Sequence, residues 1–196
     1  MTTKSFAIIL LAFCFTAQSF SQALRIPQNT NISCTAGRRV GVTDIQIQYN
    51  APGVKGREGK IYGTPIVHYG YTVLGFGSET ASPWRAGADE CTVMSFSTDV
   101  TINGQKLPAG KYAFFIEVQP DSSVLIFNKN TQEWGSYFYR PEWDALRVTA
   151  RQQKDRPQSV EWLQYSFSDQ TDSSVVVALE WERWRIPFKV DIDVKK

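Results

Sequence analysis

The chain has 196 residues, with 21 basic and 19 acidic side chains and a single histidine. Charges this evenly balanced and interspersed do not form the one-sided basic patch that nucleic acid or a polyanionic membrane surface requires, so neither is an expected partner. With one histidine and three cysteines, a zinc or copper centre of the usual two or three imidazoles or thiolates is not expected, and neither is a cofactor.

Taken in chain order, the first segment reads as a secretory signal. Lys4 supplies the positive start, Phe6 to Phe15 run unbroken as an apolar core, and the small residues Ala17, Ser19 and Ser21 follow. That core is shorter than the roughly 20 residues a spanning helix needs, and no later segment approaches it. The expected organisation is a signal peptide over 1–22, an N-terminal arm over 23–39, and a single β domain over 40–196 with a long irregular loop region at about 51–90. The protein is therefore expected to be exported, periplasmic or secreted, with no membrane span after cleavage. Cys14 would leave with the signal. Cys34 and Cys91 remain in an oxidising compartment, where a disulfide between them is the expectation.

Beyond the arm, a period of two dominates. "DIQIQY" (44–49) alternates Ile45, Ile47 and Tyr49 with polar partners, the pattern of a half-buried strand. "TVMSFS" (92–97) is another. "DVTINGQKL" places Asn103-Gly104 between two β-prone runs, a strong signal for a two-residue hairpin. "LPAGKYAFFIEV" turns at Pro108 and Gly110 into a long strand, and "SVLIFN" and "WGSYFY" are expected to pair around "KNTQE". "RPEWDAL" is the one candidate helical turn. "ALRVTAR", "SVEWLQYSF", "SVVVALEWE" and "RIPFKVDIDV" close the chain as strands, the last of them expected at an edge guarded by Lys189, Asp191, Asp193, Lys195 and Lys196. About ten strands with turns every 8–15 residues imply an all-β fold, an antiparallel β-sandwich, with a small open barrel as the alternative.

The segments "VGVTDIQIQYNAPGVKGR", "WRAGADECTVMSFSTDVTINGQKLPAGKYAFF", "NKNTQEWGSYFY" and "ALEWERWRIPF" together resemble a bacterial family, mostly of exported Bacteroidota proteins, known as domain of unknown function 2911. The resemblance runs in order from about residue 38 to 190 and implies an extracytoplasmic β-rich domain without implying an activity. Two departures stand out. The family pattern prefers Asn where this chain has Asp89, and a longer stretch, "TPIVHYGYTVLGFGSETASP", precedes "WR".

Candidate chemistry centres on "WRAGADE". Arg85, Asp89 and Glu90 combine a guanidinium with two acids, the parts of a general acid/base pair with an anion clamp. Adjacent strand residues point to opposite faces, however, which argues against the two acids converging. The simpler reading folds Arg85 back onto one carboxylate as a structural pair. Trp84 and Tyr69 would wall a ligand site here. His68, alone in "IVHYGY", reads as a loop residue, and no nucleophile elbow or phosphate loop accompanies it. Of the six tryptophans, Trp134, Trp143, Trp162, Trp181 and Trp184 are candidates for a sugar-stacking platform. Trp181 and Trp184, three apart, would face opposite ways if they shared one strand. The leading function is a non-catalytic binding module for a small molecule, glycan or envelope protein. The rivals are a cell-envelope hydrolase using Glu90 or Asp89 with Arg85 as clamp, and a purely structural envelope component.

Overall fold

The computed structural model describes residues 31–75 and 80–192. The expected signal peptide, Cys14, residues 23–30 of the arm, and Asp193, Lys195 and Lys196 lie outside them. The described residues form β1 (Ile32–Val40), β2 (Thr43–Ala51), β3 (Thr92–Phe96), β4 (Val100–Ile102), β5 (Gln105–Leu107), β6 (Gly110–Glu117), β7 (Ser123–Asn128), β8 (Asp144–Ala150), β9 (Val160–Ser168), β10 (Ser174–Glu182) and β11 (Trp184–Ile192). Among the described residues the helical content is one 3-10 turn at Pro141–Trp143, opened by the proline whose fixed φ suits a first helical position.

Two antiparallel sheets result, in the orders β1-β2-β3-β6-β7-β8 and β5-β4-β11-β10-β9, and neither closes into a barrel. The expected sandwich is present. Alternation drives it: along β2, Thr43, Ile45, Ile47, Tyr49 and Ala51 are buried while Asp44, Gln46 and Gln48 are exposed. Rings knit the sheets together, with Phe114 of β6 5.8 Å from Phe188 of β11 and Tyr49 of β2 4.8 Å from Tyr165 of β9. Each such side chain removed from water contributes about 1.5–3 kcal/mol.

Several expectations need revision. The arm supplies β1, an edge strand paired along its whole length with β2. β11 is not an edge, because it lies between β10 and β4. "WGSYFY" is not a strand: β7 pairs with β6 and β8 instead, and the segment makes a turn in which the Tyr139 N–H donates to the Ser136 carbonyl at 3.2 Å. Its reward for leaving the sheet is a second small core. Cys91, Ala113, Phe115, Ile126 and Tyr139 pack together on the outer face of the six-stranded sheet, so β6 is buried on both sides.

Cys34 and Cys91 are both free thiols. Cys34 sits opposite Tyr49 on β1 and packs towards the main core, whereas Cys91 belongs to the outer cluster beyond β2. With β2 between them, the separation approaches two strand spacings, about 9–10 Å, well over the ~4.4–6.8 Å between Cα atoms that a disulfide tolerates. Trp181 and Trp184 also differ from expectation. The hairpin turn falls between them, so they are cross-strand partners on one face, and both contact Tyr62.

On the outer face of the five-stranded sheet, polar groups gather into an ion-pair cluster. Glu180, 8 % exposed, accepts from Gln164 and Ser166, both at 3.1 Å. It also pairs with Arg185 at 3.1 Å and Arg156 at 3.4 Å. Burial alone would raise its carboxyl, but the Gln164 hydrogen bond and the two guanidinium charges outweigh that and hold it below the usual range. On the outer face of the six-stranded sheet, Arg147 bridges Asp144 at 3.1 Å, Glu117 at 3.0 Å and the Tyr71 hydroxyl at 2.7 Å.

Candidate functional site

The segment "WRAGADE" is an excursion from the sheet. Thr92 pairs with Phe114 at the end of β3, and two residues further along β6, Ile116 exchanges backbone hydrogen bonds with Trp84 at 2.9 and 3.0 Å. Trp84 and Thr92 thus occupy the same row beside β6, and everything from Arg85 to Cys91 loops out between them. Ala86 and Asp89 take left-handed backbone, φ 52° and 56°, a conformation costing non-glycine residues of the order of 1 kcal/mol each. Surrounding bonds hold it. The Ala86 carbonyl accepts from the Tyr165 hydroxyl at 2.8 Å and Thr92 Oγ1 at 3.1 Å, and the Ala88 N–H donates to Asn50 O at 3.0 Å.

A cavity of about 250 Å³ opens beside this loop. Trp84, Arg85, Gly87, Ala88 and Asp89 form one wall, and Pro52, Arg57, Pro65, Ile66, His68 and Leu74 of the irregular region form another. Asn31, Ser136 and Trp181 complete it. The sandwich supplies the rigid floor: Trp84 and Trp181 stack with ring centres 6.3 Å apart, and Tyr62 meets both edge-on.

The charges here are arranged differently from those of the core. Arg85 does not pair with a carboxylate among the described residues. Its Nη1 donates to the backbone carbonyl of Asp89 at 2.8 Å, and its guanidinium lies 5.0 Å from the centre of the Tyr137 ring. Gly135 packs over it, where a Cβ would come within 2.5 Å of Arg85 Cζ. Arg57 likewise spends Nε and Nη2 on the carbonyls of Val54 and Gly53, at 3.0 and 2.7 Å. The Asp89 carboxylate accepts from the Asn31 amide at 3.0 Å. So backbone oxygens position both guanidiniums, and neither forms an ion pair among the described residues.

His68 Nδ1 lies 3.1 Å from the Gly70 carbonyl. A carbonyl can only accept, so Nδ1 carries the proton and Nε2 is the bare nitrogen. Burial is the main reason its pKa is lowered; backbone carbonyls of Gly70 and Tyr69 oppose that, and Arg85 nearby adds to it. The imidazole is therefore neutral at pH 7. Trp181 is fully buried and its indole N–H finds no acceptor. An orphaned buried donor costs about 1–3 kcal/mol.

The sequence-derived candidates separate into three places. Trp84, Arg85 and Asp89 meet in this cavity. Glu90 lines a different depression, where the Asn50 amide donates to it at 2.6 Å. Tyr69 is 40 % exposed and borders an adjoining hollow that shares His68. Arg57, His68, Trp181, Asn31 and Ser136 complete the cavity without having announced it. Arg57 lies in a Gly-rich stretch that matches no binding motif, and Trp181 reads as one of five tryptophans of a candidate sugar-stacking platform, with nothing to link it to "WRAGADE". Among the described residues no group of three or more His, Cys, Asp or Glu is placed to hold a metal ion, and no helix is long and apolar enough to cross a membrane.

An all-β sandwich with a cation-lined cavity at one sheet end defines the class. The chain belongs to the family described as Protein of unknown function (DUF2911), whose model matches residues 32–190. That span takes in every strand up to most of β11 and every residue lining the cavity except Asn31. No curated protein and no solved structure matches the chain.

Proposed function

We propose that this is an exported, non-catalytic binding module whose cavity takes a small anionic molecule. The observation that carries the reading is the pair of guanidiniums, Arg57 and Arg85, lining one cavity without a carboxylate partner among the described residues. Guanidiniums in a partly desolvated site recognise carboxylate or phosphate oxygens by charge-assisted hydrogen bonds. Trp181 offers a further N–H donor, and Trp84 supplies an apolar wall. A cavity of about 250 Å³ suits a compact ligand rather than a polymer. The rival hydrolase reading is weakened because Glu90 lies outside this cavity, which leaves Asp89 as the one acid beside Arg85.

Calorimetric titration of the folded domain with acetate, citrate, inorganic phosphate and sulfate tests the proposal. Binding of at least one of these is expected, weakened about tenfold or more by Arg57→Ala and by Arg85→Ala, as loss of a charge-assisted bond of ~1.5–3 kcal/mol requires. Binding unchanged in both variants, or no binding of any anion, would refute it.

A further inference from the structure

The second depression, where Glu90 lies, has a different chemistry and is independent of the Arg85 cavity. Its floor is the outer face of β1 and β2, where Thr35 stands opposite Gln48 and Ser33 opposite Asn50. Its wall is the loop Thr131–Trp134, tied to the sheet by the Cys91 N–H donating to the Glu133 carbonyl at 3.3 Å and by the Cys91 thiol 3.5 Å from the Thr131 carbonyl. The groove holds about 680 Å³, room for more than one ring. Trp134 stands on it 52 % exposed, unlike the buried Trp84 and Trp181.

Glu133 is the feature that ordinary folding does not explain. It is only 9 % exposed. The Asn130 amide donates to its Oε1, while Oε2 is buried with no hydrogen-bond partner. A carboxylate oxygen left so costs stability. No lysine, arginine or histidine among the described residues lines the groove, so nothing there prepares it for an anion. Its polar lining consists of amides, hydroxyls and two acids, which together both donate to and accept from hydroxyls.

We propose that this groove binds a neutral glycan, one sugar ring stacking on Trp134 while its hydroxyls are held by Glu133, Gln132 and the amides of β2. A sugar hydroxyl donating to Glu133 Oε2 would supply the missing partner. Burial raises the Glu133 carboxyl, opposed by the Asn130 hydrogen bond and the more distant Arg140 charge. The amides of the groove favour a neutral polyol over an amine, because a polyol brings acceptors as well as donors. An ammonium, which carries donors alone, would offer no acceptor to the Gln48 amide N–H groups.

The test is a titration of the folded domain, followed by tryptophan fluorescence and calorimetry, with neutral tetrasaccharides of glucose, mannose, xylose and galactose, and with choline as a cationic probe. At least one tetrasaccharide should bind and shift the emission. Trp134→Ala, at an exposed site that leaves the fold intact, should weaken it about tenfold. Glu133→Gln should weaken it less, and Trp143→Ala, at an exposed tryptophan that lines neither this groove nor the anion cavity, should leave it unchanged, which ties the stacking to Trp134. The proposal is overturned if no tetrasaccharide binds, if Trp134→Ala binds as well as wild type, or if choline alone binds at this site.

Discussion

Two arginine clusters in this small domain are built on opposite plans. Around Glu180, Arg185 and Arg156 converge on one buried carboxylate that Gln164 and Ser166 also serve. Around the excursion, Arg85 and Arg57 rest on backbone carbonyls and face a cavity walled by Trp84 and Trp181. The first plan cancels charge within the protein; the second keeps it. Buried charge that is already matched holds strands in register. Charge that is positioned but unmatched is what a ligand of opposite sign would find. Arg85 was expected to fold back onto a carboxylate at "WRAGADE"; it rests on a carbonyl instead, and the matched ion pairs lie around Glu180, from Arg156 and Arg185.

The comparison can be broken first at its structural half. Glu180→Ala strands two guanidiniums and should cost roughly 3 kcal/mol, lowering the melting temperature by roughly 6–12 °C at this chain length. A variant melting with wild type would show that the closed cluster does not hold the fold. Gly135→Ala acts on the open half: its Cβ would drive into the Arg85 guanidinium, at a backbone φ of 63° that suits glycine. About 1–3 kcal/mol of stability and most of the anion affinity should go together, read by unfolding and calorimetry on the same sample. The smallest effect is that of pH. Because the folded-state pKa of His68 lies below its ordinary value, the unfolded chain takes up the proton first as pH falls through about 6.5. The His68 contribution to stability is therefore full above that range and lost below it, while affinity for an anion rises as the imidazolium forms. His68→Gln should flatten this part of both profiles.

Much of the sandwich was legible because alternation is a local signal. β2 shows it residue by residue, and Asn103-Gly104 turns where it should, with φ of 45° and 85°. Failures came where a distant partner decides. "WGSYFY" has strand composition but folds outward, laying its own Tyr139 against Phe115, and nothing within six residues reports that. Trp181 and Trp184 were misplaced because the turn between them, at Glu182 with φ 54°, carries no Gly, Asn or Asp to mark it. At the cavity, Trp84, Arg85 and Asp89 were visible because they share one stretch. Arg57 and His68 come from a loop without periodicity, and Trp181 from a strand nearly a hundred positions away. Convergence of that kind is a property of the tertiary fold.

The most direct measurement is thermal unfolding of Arg85→Ala beside wild type, each with and without the tightest anion from the calorimetric panel. Loss of one hydrogen bond to a carbonyl and one ring contact should cost about 1 kcal/mol, a few degrees at most, and the rise in melting temperature that the anion gives wild type should vanish. A fall as deep as that of Glu180→Ala, or an anion-induced rise equal to that of wild type, would contradict the account: the first would make Arg85 part of the scaffold, the second would place the anion elsewhere.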